Sequence, residues 1–137
     1  MGIDYDVRMF YGWSLSGQEV WSWLQANDLL YEDGTIYRKP GAGIPDEYLS
    51  YEPWPEGVEL GHASPYFDTS YENCNFCVNV LARSGYHYHC ATTTLAELQA
   101  IPDERIEAAR RAVLLIDPSH EAGQGAPPEL WALPHIW

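Results

Sequence analysis

Residues 3–13 alternate. Ile3, Tyr5, Val7, Met9, Tyr11 and Trp13 fall on one side of an extended chain, and Asp4, Asp6 and Arg8 fall on the other. Period two is the side-chain repeat of a β-strand with one covered face and one wet face. Val7 and Met9 are therefore expected in a core, and Asp6 in solvent. The period then changes. Ser16-Gly-Gln-Glu19 has the form of a capping box, in which the serine hydroxyl and the glutamate satisfy amides left open by the first helical turn. Val20, Trp23, Leu24 and Asn27 follow at helical spacing and predict a helix over 17–27. Asp33-Gly34 predicts a tight turn into a short strand at 35–38.

Residues 39–67 resist regular structure. Pro40, Pro45, Pro53, Pro55 and Pro65 forbid long elements, and Gly41, Gly43, Gly57 and Gly61 loosen the backbone. Tyr48, Tyr51, Trp54, Tyr66 and Phe67 nevertheless give the segment anchors, so an ordered loop is expected rather than a linker. A short strand is expected near Val58–His62. Residues 74–82 alternate again, with Cys74, Phe76, Val78 and Val80 opposite Asn75, Cys77, Asn79 and Leu81. Ser84-Gly85 suggests a turn into a hairpin partner over Tyr86–Ala91. Thr94-Leu-Ala-Glu97 is a second capping box, and Pro102 restarts the helix at a position proline tolerates. Ile106, Ala109, Val113 and Ile116 make its buried stripe, and Asp117-Pro118 ends it. Residues 119–128 read as a Gly/Pro loop. Leu130–Trp137 reads as a last strand, held to a sheet edge by Pro134. This order predicts an α+β fold: a mainly antiparallel sheet, two or three helices on one face, and a long Pro/aromatic-rich loop.

Composition bounds what such a fold can do. A chain of 137 residues is one ordinary domain, 1–137, and 46% hydrophobic with 14% aromatic residues supplies a core. The longest apolar run, Ala112–Ile116, is far short of the roughly 20 residues of a membrane span. The first residues lack the basic and apolar regions of a signal peptide, and Asp6 stands where myristoylation of Gly2 wants Ser or Thr. Three cysteines are odd in number and too few for a disulfide scaffold, which fits a reducing, intracellular setting. The net charge of −13 repels phosphate, so nucleic acid and anionic membranes are disfavoured as partners.

Candidate chemistry is sparse. Cys74-x-x-Cys77 followed by His87, His89 and Cys90 has the residue types of a tetrahedral zinc site. Strand alternation opposes that reading, because it turns Cys74 and Cys77 to opposite faces. Buried cysteines and strand histidines account for the same residues without metal, and no cofactor is expected. A histidine-activated Cys90 lacks any surrounding signature. No spacing singles out a carboxylate pair among the 20 acids. Gly41-Ala-Gly43 is not followed by Gly-Lys-Ser/Thr, and the common dinucleotide, zinc-protease and hydrolase motifs are missing from the sequence. Tyr48, Tyr51, Trp54, Tyr66 and Phe67, with acids between them, form a candidate recognition surface, since Tyr and Trp are favoured interface anchors. The same rings could instead cover the core beneath a long loop.

The opening Met-Gly-Ile-Asp-Tyr-Asp and Phe10-Tyr-Gly-Trp13 resemble the start of small uncharacterised proteins of large DNA viruses of amoebae and algae. Pro65-Tyr-Phe-Asp, Tyr71-Glu-Asn-Cys74 and Leu133-Pro-His-Ile-Trp137 are similar in style to the same proteins. The resemblance carries no catalytic residues. It implies a viral particle component or a factor of the infected cytoplasm. The expectation is a non-enzymatic structural or protein-interaction module that binds a protein partner or itself. The alternatives are a small enzyme with a pocket near a His87/His89 hairpin, and an acidic mimic of nucleic acid.

Overall fold

The computed structural model describes residues 5–27, 48–49, 57–63, 75–86 and 91–136. Five strands form one sheet: β1 (Tyr5–Leu15), β2 (Tyr48–Leu49), β3 (Glu59–Ala63), β4 (Asn75–Tyr86) and β5 (Glu129–Ile136), in the order β2-β3-β4-β1-β5. Every pairing is antiparallel. Among the described residues, three α-helices accompany it: α1 (Gly17–Ala26), α2 (Leu95–Gln99) and α3 (Asp103–Ile116). This is the expected α+β architecture. β5 stands at the edge, as Pro134 required, and β2 falls inside the long Pro/aromatic-rich segment. The expected strand at 35–38 lies outside the described residues.

The helices begin where their caps dictate. Ser16 Oγ accepts the Glu19 amide at 3.3 Å, and Thr94 Oγ1 accepts the Glu97 amide at 3.1 Å. α1 buries Val20, Trp23 and Leu24, and α3 buries Ala108, Ala109, Ala112, Val113 and Ile116. Both meet the sheet face carrying Trp13, Leu15, Leu60, Phe76 and Val78, and together these make the main core. Apolar area removed from water at about 25 cal/mol per Å² is what holds helices to sheet here.

Two expectations fail, each for a physical reason. Residues Ser84-Gly85 do not turn: β4 runs through them to Tyr86, pairing Val7 with Gly85 and Arg8 with Ser84. A twelve-residue strand beside β1 buries more backbone in its ladder than a hairpin broken at 84 would. The second failure is the wet face of β1. Asp6, Arg8 and Phe10 are buried, and Val7 is 41% exposed. The cause is curvature. Tyr11 pairs with Leu81 and Gly12 with Asn79, so Val80 is an extra residue in β4, a bulge that bends and twists the pair. The sheet curls so far that Cα atoms of β3 and β5 come within 8 Å, although β4 and β1 lie between them in the order.

Curling makes the second face concave and takes it out of water. Two glycines permit the tight approach. A Cβ on Gly12 would lie 1.9 Å from the Val78 carbonyl oxygen, and one on Gly61 would lie 2.3 Å from the ring of Phe10. Phe10 thus fills the concavity from β1 and rests over the bare backbone of β3. Arg8 sends Nη1 to the His62 carbonyl at 2.7 Å, tying the same two strands. The bulge also shifts parity along β4. Cys77 and Asn79 belong to the concave face, and Leu81 joins the helix-covered face with Phe76 and Val78.

Candidate functional site

The concave face holds ionisable groups that water cannot reach. Asp6 Oδ2 lies 3.7 Å from Arg8 Nε, and Asp6 Oδ1 is buried with no hydrogen-bond partner among the described residues. Asn79 Nδ2 donates to the carbonyls of Glu59 and Cys77, each at 3.2 Å. Burial raises the Glu59 carboxyl above its ordinary value, because desolvation disfavours the anion. The same cause pushes the Cys77 thiol far up, which disfavours the thiolate. This interior is a polar seam inside a packed concavity.

A recess opens at one end of the curl. A cleft of about 260 Å³ is lined by Gly12, Trp13 and Ser14 of β1, Glu129 and Trp131 of β5, and His120, Glu121, Ala126 and Pro127 of the connecting loop. The loop includes a 3-10 turn over Glu121–Gln124 and would be mobile if left to its glycine and proline content. Instead it is pinned. Trp13 Nε1 donates to the Ala126 carbonyl at 3.1 Å. Arg110 Nη1 donates to the carbonyls of Ala122 and Ala126 at 2.6 and 3.1 Å, with its guanidinium 5.1 Å from the Trp13 ring centroid. Ala122 is wholly buried beneath it. Trp131 Nε1 donates to the Gly12 carbonyl at 3.1 Å, which fixes the indole over the concave end of β1.

His120 is the one imidazole lining the cleft, beside the carboxylates of Glu121 and Glu129, and both its nitrogens are used. Nδ1 accepts the Ala122 amide at 3.0 Å, so Nε2 carries the proton, and it donates to the Ser14 carbonyl 2.8 Å away. A ring held this way caps the 3-10 turn and closes the loop onto β1. It has no free lone pair for a general base. The geometry therefore builds a rigid, acidic, indole-walled recess suited to binding.

The opposite face of the same two strands is open. α1 and α3 cover Trp13 and Leu15 but not the other half of β1. Val7 and Leu130 are 41% and 45% exposed, Ala132 and Pro134 are exposed, and Met9 and Tyr11 are half-covered. Register sets Val7 beside Pro134, Met9 beside Ala132 and Tyr11 beside Leu130, so these six form an uncharged strip. Arg83, which shares the face from β4, is paired with Glu97 at 3.0 Å.

Of the residues singled out by sequence, Tyr48 lies in β2 with its backbone paired to Gly61 of β3, whereas Tyr51, Trp54, Tyr66 and Phe67 lie outside the described residues. Cys77 is described and buried, whereas Cys74, His87, His89 and Cys90 lie outside them. Sequence reasoning missed the cleft. Its signals were Glu129 and Trp131 at i and i+2 on the last strand, with a Gly/Pro loop just before. Among the described residues, no helix is long and apolar enough to cross a membrane, and no three His, Cys, Asp or Glu residues gather to hold a metal. Compared with known proteins, the chain matches no family model, no curated protein and no solved structure.

Proposed function

We propose that this chain is a non-enzymatic protein-interaction module that docks a partner on the outer face of β1 and β5. The strip of Val7, Met9, Tyr11, Leu130, Ala132 and Pro134 carries the reading. Uncharged residues in register on a sheet face are normally covered by a helix, and here the helices stop short. Contiguous exposed apolar surface of this kind marks interaction sites. The partner is a protein with an apolar contact rimmed by Lys and Arg. The chain's −13 charge favours such a partner, and it sets two copies of the chain against each other. The resemblance of residues 1–13 supports a viral setting, as a particle component or a cytoplasmic factor. Random peptides displayed on phage and selected on the intact chain test the reading. Enriched peptides should combine apolar residues with Lys or Arg, and Leu130→Lys should abolish their binding without lowering Tm. Selection that yields no consensus, or binding indifferent to Leu130→Lys, would refute it, as would a stable dimer that Leu130→Lys dissociates.

A further inference from the structure

We propose that the cleft at the end of the curl is a seat for an organic cation the size of one side chain, an alkylammonium or a guanidinium group. Size, walls and charge agree on this. A volume of about 260 Å³ is below the roughly 300–1,000 Å³ of sites for cofactors and drug-sized ligands, so a single head group fits. The place is also one that ligands favour, the mouth of a curled sheet. Trp131 supplies an indole whose orientation is set by its bond to the Gly12 carbonyl, and Pro127 faces the same space. A cation over a Trp face gains about 0.5–2 kcal/mol, more as water is excluded.

Charge selects the ligand. Glu121 and Glu129 both line the cleft, and neither makes an ion pair among the described residues. No lysine or arginine lines it. Two carboxylates alone would be ordinary surface acids. What sets these apart is a recess with walls tied at five points, through Trp13, Arg110, His120 and Trp131. The chain already uses the same chemistry one layer down, where Arg110 lies over Trp13 with its donors on loop carbonyls. Arg110 is thereby committed to the wall and leaves the recess itself without a cation. An alkylammonium entering from solvent would meet the Trp131 ring and the two glutamates with little reorganisation, because the wall does not have to order on binding.

The site is separate from the outer strip, and small probes test it with no partner protein present. Nα-acetyl-lysine methylamide and Nα-acetyl-arginine methylamide are titrated into the 15N-labelled chain, with the norleucine analogue as the neutral control. The Trp131 indole N–H, assigned with Trp131→Phe, is the readout. Saturable shifts are expected with the cations and none with norleucine. Affinity should fall roughly tenfold in Glu129→Gln, the loss of one charge-assisted contact, and fall again with added salt. Glu121→Gln should act in the same direction. Val7→Lys, on the outer strip, should leave the titration unchanged, so failure of the cleft and failure of the strip read differently. Linear, unsaturated shifts, equal shifts with norleucine, or an unchanged titration in both glutamate variants would overturn the proposal.

Discussion

Replacing Arg110 by Met removes the guanidinium while keeping most of its stem, and it tests whether one side chain holds the cleft wall. Arg110 donates to the carbonyls of Ala122 and Ala126 and lies over Trp13. Hydrogen bonds from a charged donor contribute about 1.5–3 kcal/mol, and a cation–π contact about 0.5–1 kcal/mol where partly exposed. The side chain is 20% exposed, and its pairing with the exposed Glu107 adds little. The expected loss is therefore about 2–4 kcal/mol. At roughly 4 °C per kcal/mol for a domain of this size, Tm falls by about 8–16 °C. The loop can also open locally, which caps the global loss, so amide exchange is read alongside. Gly123, Gly125 and Ala126 donate to His120, Ala122 and Glu121 carbonyls inside the loop, and their amides should exchange faster. An unchanged Tm together with unchanged exchange at these three amides would refute the clamp.

Three further outcomes follow from the curled sheet. Val7→Asp should change stability by no more than about 0.5 kcal/mol, whereas Asp6→Ala should cost about 1–3 kcal/mol by leaving Arg8 short of its acid; urea unfolding of the two variants checks the order. Gly61→Ala should cost about 1–3 kcal/mol, because its methyl meets the buried Phe10 ring, and restoration by Phe10→Leu in the double variant is the confirming sign. Glu59 has a raised folded-state value, so the unfolded chain loses that proton first and stability falls as pH rises from 4.5 through the raised value. Glu59→Gln should match the wild type below that window and be the more stable above it, and equal pH profiles would show that Glu59 does not titrate differently on folding.

Local signals were legible and long-range curvature was not. Ser16 and Thr94 start their helices as their chemistry dictates, because each cap is satisfied within three residues, and Pro102 stands just before α3 without a side-chain cap of its own. Pro134 marked an edge strand for an equally local reason. Alternation in β1 identified the strand but misassigned Asp6, Arg8 and Val7, since period two reports two faces without saying what covers each. The polar face became interior only through the bulge at Val80 and the bare backbones of Gly12 and Gly61, features that act across four strands. Phe10, an apolar residue among Asp4, Asp6 and Arg8, was the one local hint. The cleft was hidden for the same reason: β1, β5 and the loop meet there through Trp13, His120 and Trp131, each bonded to a residue more than 100 positions away.

Chemical-shift mapping with a peptide selected on the intact chain tests the docking face most directly. Backbone amides of the chain are followed as the peptide is added, and the docked face is read from those that move. The proposed surface predicts shifts concentrated at Val7, Met9, Leu130 and Ala132, with Ala109 and Val113 on the buried side of α3 unmoved. Shifts centred on the helices or on the β3 edge, with Val7 and Leu130 silent, would contradict it.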